Sequence, residues 1–82
     1  MIFLIEYDRS RGQLVKCTAF DDSHRRQAEE SRLDLELSLQ RKGVAHEVVL
    51  LEAATEDALR RTHRRYFEDL EDLTKPKRVA GG

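Results

Sequence analysis

Leu33-Asp34-Leu35-Glu36-Leu37-Ser38-Leu39 alternates apolar and polar residues in the two-residue rhythm of a strand, and its reading decides the fold. The surrounding segment holds no β-branched residue and is rich in Leu, Glu, Gln and Arg, all good helix formers. Upstream, Asp21-Asp22-Ser23 offers three N-cap oxygens with early acidic charge, and no Gly or Pro interrupts the chain until Gly43, a natural C-terminal stop. A strand would have to follow a helix with no turn chemistry between them. The stretch is therefore read as part of one long helix. On a wheel of about 100° per residue, Ala28, Leu35 and Leu39 share a narrow sector, and Leu33 and Leu37 lie roughly 140–180° away. Only one sector can face a sheet, so Leu33 and Leu37 are a candidate partner interface unless the helix is sandwiched within the monomer.

Before this helix, residues 2–7 form an apolar run broken only by Glu6, followed by the turn-like Asp8-Arg9-Ser10-Arg11-Gly12 and the β-rich residues 14–20. That is an antiparallel hairpin. After it, residues 44–53 read as a third strand with Val48-Val49-Leu50-Leu51 as its buried centre. Thr55 caps a second helix with Glu56 and Asp57 in its first turn, and Leu59, His63, Tyr66, Phe67, Leu70 and Leu73 recur at helical spacing as its core stripe. The expected fold is a small α/β (α+β) domain of order ββαβα, a three-stranded mixed or antiparallel sheet with two helices over residues 1–74. Residues 75–82 read as a disordered tail.

Eighty-two residues hold one core, and a domain this short is marginal without a disulfide, a metal or a partner. Cys17 is the single cysteine, which excludes an intrachain disulfide and a cysteine cluster and suits a reducing, cytoplasmic setting. The apolar opening is too short for a signal-peptide core, and no run approaches the ~18 residues of a membrane-spanning helix. Charged residues make up 38% of the chain, yet the formal net charge is −1, so no overall field gathers nucleic acid or anionic membrane. Both faces of the first strand are apolar, Phe3, Ile5 and Tyr7 against Ile2 and Leu4. If both helices share one face, the other must meet a second subunit; if they lie on opposite faces, the monomer closes by itself.

Chemistry is sparse. Arg60, Arg61, Arg64 and Arg65 line the outer face of the second helix and could grip phosphates or nucleic acid. Glu68 and Asp69, four residues beyond Arg64 and Arg65, instead neutralise that face on the helix itself. His24, His46 and His63 lack zinc-site spacing, and His46 and Glu47, adjacent on a strand, point to opposite faces. Glu6 and Asp8 share a strand face, although Asp8 also suits a cap on the hairpin loop. With no glycine-rich phosphate loop or nucleophile elbow, Cys17 reads as a packing residue. No cofactor or metal is expected. An enzyme reading requires a concave pocket where Glu6, Asp8, His46 or His63 converge.

A hairpin, helix and strand with a terminal Gly81-Gly82 resembles the ubiquitin-like and sulfur-carrier proteins of the β-grasp family. Those families continue with further strands where this chain has a helix containing Tyr66 and Phe67. Leu4-Ile5-Glu6-Tyr7-Asp8 and His63-Arg64-Arg65-Tyr66-Phe67 resemble short uncharacterised bacterial α/β proteins, which implies a cytosolic setting and no activity. The reading that follows is a small non-catalytic protein-interaction module that self-associates, as a homo-oligomer or with a protein partner. It works through an uncovered sheet face or through Leu33 and Leu37. The alternative is a weak nucleic-acid or phosphate binder.

Overall fold

The computed structural model describes residues 1–68; the expected tail and the stripe positions Leu70 and Leu73 lie outside them. Strands β1 (Ile2–Asp8), β2 (Gln13–Phe20) and β3 (Glu47–Glu52) form one sheet in the order β2-β1-β3, with both pairings antiparallel. Helix α1 spans Arg25–Lys42 and α2 spans Glu56–Thr62. Short 3₁₀ turns precede α1 (Asp22–His24) and follow α2 (Arg64–Tyr66). The architecture is a small α+β fold of order ββαβα.

The hairpin is fixed by side-chain chemistry at its tip. Oδ1 of Asp8 accepts from the Ser10 amide at 3.1 Å, the Ser10 hydroxyl at 2.7 Å and the Arg11 amide at 3.2 Å. Gly12, at φ 65°, then donates its N–H to the Asp8 carbonyl at 2.8 Å. Between Glu6 and Tyr7 the β1–β2 register shifts, with Glu6 opposite Lys16 and Tyr7 opposite Leu14. Val15 is the extra residue of this bulge and is 49% exposed.

The central position of β1 explains its apolar character. Ile2, Phe3, Leu4, Ile5 and Tyr7 are all buried, because strands flank β1 on both edges and helices cover both faces. Leu59 and Tyr66 pack with Phe3, Ile5 and Tyr7 on one face. On the other, Ser31 and Leu35 of α1 border a groove with Leu4 and Glu6, and Leu39 borders a cleft with Val48. The helices therefore lie on opposite faces of the sheet. Among the described residues neither sheet face is left bare for a partner, which was one of the two expected routes to self-association.

Three local expectations need correction. The third strand is shorter than residues 44–53, and its residues 48–51 are half-buried, because β3 is an edge strand and the true centre is β1. The α1 boundary lies further along the chain, since Asp21 caps the preceding 3₁₀ turn through the Asp22 amide at 2.9 Å and His24 gives α1 no side-chain cap. The second helix stops at Thr62, whose hydroxyl bonds back to the Ala58 carbonyl at 2.9 Å, and the chain breaks at His63 (φ −125°, ψ 51°). That break lets Tyr66 fold against Tyr7, ring centroids 5.3 Å apart at 90°. The expected caps at Thr55, accepting from Ala58 at 3.1 Å, and at the left-handed Gly43 both form.

Candidate functional site

Once both sheet faces are covered, the large apolar side chains still in water among the described residues are Met1, Val15, Leu33 and Leu37. Leu33 is 53% exposed and Leu37 41%, and they stand one turn apart on the side of α1 opposite the buried Ala28 and Leu39. Helical phase explains this division. Alternation in the sequence put leucines at 33, 35, 37 and 39, and a helix of 3.6 residues per turn sends 35 and 39 inward and 33 and 37 outward.

The four arginines do not form one face. Arg60 pairs with Glu56 at 3.4 Å and lies 4.7 Å from the Phe67 ring centroid. Arg64 pairs with Glu68 at 3.2 Å, as the sequence spacing suggested. Arg65, beyond the break, instead reaches Glu47 on β3, its Nη2 lying 2.8 and 2.7 Å from the two carboxylate oxygens. It stacks on Tyr66 at 4.4 Å. Arg61 is exposed on α2. Three of the four guanidinium groups are thus matched to carboxylates, and the helix that was to align them ends before Arg64.

Glu47 is the hub of that network, accepting from the Tyr66 hydroxyl at 2.5 Å as well as from Arg65, with Arg9 at 3.8 Å. The Tyr66 hydrogen bond, then Arg65 and Arg9, hold the Glu47 carboxyl below its ordinary value of 4.5. Desolvation, then the bond to Glu47, pushes Tyr66 above its ordinary 10.0. A carboxyl held low stabilises the fold above its unfolded value, and that contribution is lost as pH falls through the depressed folded value. A tyrosine held high contributes below its unfolded value and is lost as pH rises through the raised one. We expect Glu47→Gln to flatten the loss of stability below pH 4.5, measured by urea melts across pH. Asp8, held low chiefly by the Ser10 hydroxyl, keeps part of the acid limb in the variant.

A second cluster brings together Glu6, Asp8 and His46, three of the four residues whose convergence the enzyme reading requires. Nδ1 of His46, just before β3, lies 2.6 Å from Oε2 of Glu6, and its Nε2 lies 3.6 Å from Oδ2 of Asp8. Glu6 is the one buried charged residue among the described residues, set in the otherwise apolar row Ile2, Leu4, Glu6. His46 spans both carboxylates and ties the segment before β3 to the central strand. His24 stands at the exposed start of α1 and His63 in the break after α2, so neither joins it. With Nδ1 on one acid and Nε2 facing another, the ring does not activate a hydroxyl or thiol nucleophile. Cys17 packs against the Phe3, Ile5, Tyr7 cluster, and burial pushes its thiol up, away from the reactive thiolate.

Open depressions flank α1. One of about 200 Å³ is lined by Leu4, Glu6, Lys16, Thr18, Phe20 and Leu35, among others, and one of about 320 Å³ lies by Leu39, Val44, His46 and Val48. Among the described residues no group of three or more His, Cys, Asp or Glu side chains could hold a metal ion, and no helix is long and apolar enough to cross a membrane. No protein-family model, curated protein or solved structure matches the chain.

Proposed function

We propose that the protein is a non-catalytic interaction module that self-associates through the outer face of α1. The exposure of Leu33 and Leu37, in a chain whose sheet is covered on both faces, carries this reading. The charge order around them selects a second copy lying antiparallel. Glu30 and Arg41 lie on one flank of the leucine pair, within about 60° of it, and their midpoint is close to that of Leu33 and Leu37, near Leu35. An antiparallel copy centred there sets Leu33 against Leu37 and Glu30 against Arg41, twice by symmetry. A parallel two-fold copy would carry the Glu30 and Arg41 flanks to opposite sides of the seam, where they do not meet.

The contact is weak. Four leucine side chains, each about half exposed, supply roughly 1 kcal/mol apiece on burial, and rim ion pairs add a few tenths. That gross gain of about 4–5 kcal/mol is offset by the loss of translational and rotational freedom on association, so the contact is transient, with a Kd of about 1 mM or weaker, and set by local concentration. Sedimentation equilibrium at about 1 mM is expected to show reversible association. Leu33→Glu with Leu37→Glu is expected to abolish the α1 contact with a melting temperature within a few degrees of wild type, since surface changes cost about 0.5 kcal/mol or less. Retained α1 association in the double variant would refute the reading. Global unfolding would instead place the leucines in the core.

A further inference from the structure

The edge strand β3 carries a second surface, which does not depend on α1. At the start of the sheet, the Met1 amino group donates to the Ala53 carbonyl at 2.9 Å and the Ala53 amide donates to the Met1 carbonyl at 3.1 Å, so Met1 and Ala53 form a hydrogen-bonded pair. The β1–β3 register runs without a shift, from Ile2 opposite Glu52 to Tyr7 opposite Glu47. Hydrogen-bonded and non-bonded pairs alternate along an antiparallel ladder. Leu51, Val49 and Glu47 therefore turn their backbone groups inward to β1, and Val48, Leu50 and Glu52 turn theirs to the outer edge. No strand among the described residues pairs with that edge.

The two edges of the sheet are protected unequally. Strand β2 carries the Val15 bulge and the exposed Lys16, both features that discourage pairing with another strand. Strand β3 carries four consecutive apolar residues, Val48-Val49-Leu50-Leu51, each only half-buried, with no bulge, Lys or Pro. We propose that this edge pairs antiparallel with β3 of a second copy about a two-fold axis at Val49, joining two sheets into one of six strands. In that register Val48 of one copy meets Leu50 of the other, and their outward N–H and C=O groups bond each other. Glu52 and His46 fall opposite each other but keep their own partners, Arg25 for Glu52 and Glu6 with Asp8 for His46, so the contact rests on the apolar residues of the edge, which are shielded together.

This register is self-complementary in backbone hydrogen bonding and in its apolar side chains, Val49 on Val49 and Val48 on Leu50, which is why the partner is a second copy rather than an unrelated strand. A protomer that also used α1 would have two separate two-fold contacts, and copies would then join into an open chain rather than a closed dimer.

Two measurements test the β3 contact. In wild type, amide exchange at Val48 and Leu50 is expected to slow by about tenfold or more between ~20 μM and ~1 mM protein, while the inward Val49 and Leu51 amides stay protected throughout. Val48→Pro removes an outward N–H without breaking a bond to β1, so it is expected to keep the monomer folded and lose the β3 contact. At about 1 mM the wild type is then expected to exceed a dimer by sedimentation. Val48→Pro should leave only the α1 dimer, and the Leu33→Glu, Leu37→Glu pair only the β3 dimer. Val48 and Leu50 amides that exchange freely at every concentration overturn the proposal, even if Val48→Pro fails to fold. A Val48→Pro variant that stays folded and is strictly monomeric at about 1 mM would refute the function proposed above and leave this one standing.

Discussion

Leu59→Ala is expected to destabilise the protein by about 3 kcal/mol or more. Leu59 is 0% exposed and comes from α2, a helix of only seven residues. Its side chain meets Phe3, Ile5, Tyr7 and Tyr66. A helix this short has little stability of its own and is held by that one buried anchor and the Thr55 cap. Truncation therefore leaves a cavity and also loosens the element that carries Tyr66 and Arg65 to Glu47. Total stability for a chain of this size is about 4–12 kcal/mol, so the loss is a large fraction of it. Chemical denaturation monitored by circular dichroism measures it directly. A change below about 1 kcal/mol would show that α2 contributes little to closing the sheet.

His46→Leu is expected to cost about 2–4 kcal/mol, because it leaves the Glu6 carboxylate buried among Ile2, Leu4 and α1 without its 2.6 Å partner. Side-chain exposures of 10% for Glu6 and 19% for His46 leave little water to compensate. Adding Glu6→Leu should recover most of the loss, since leucine continues the apolar row of β1 and no charge is left behind. The double-mutant cycle separates two roles for the cluster. A large positive coupling identifies a clasp whose members matter only as a pair. Additive effects would mean that His46 is held by its packing beside Leu39, Val44 and Val48 rather than by the acid.

The cluster also shows where sequence reasoning stops. Glu6 and Asp8 were placed on one face by alternation, and His46 was separated from Glu47 by the same rule. What brings His46 to them is the register Tyr7 opposite Glu47, which sets the preceding residue beside Asp8. Register is a property of two strands, and the sequence of either one does not specify it. The available signal was Glu6 itself, a lone acid in an apolar strand, which requires a partner once that strand is central.

The four arginines are separated for a related reason. Spacing along a continuous helix places residues 60, 61, 64 and 65 together, but the chain breaks at His63 and Tyr66 packs on Tyr7 beyond the break. A local period cannot anticipate a tertiary anchor. Strand β3 was misjudged as a buried centre because a run of four apolar residues reads the same in a central strand and in a half-covered edge.

Short-range chemistry was enough to determine the order ββαβα, the helical reading of the leucine alternation, the Thr55 and Gly43 caps, the Asp8 loop and the phase of Leu33 and Leu37 opposite Leu35 and Leu39. Each depends on residues within a turn or two of one another, where backbone geometry leaves few choices. Only the tertiary structure decided that the helices lie on opposite faces, that β1 is central and β3 an open edge, and that His46 bridges Glu6 and Asp8. Those outcomes depend on which distant segments pair and in what register, and that is set by burial summed over the whole chain rather than by any single stretch of it.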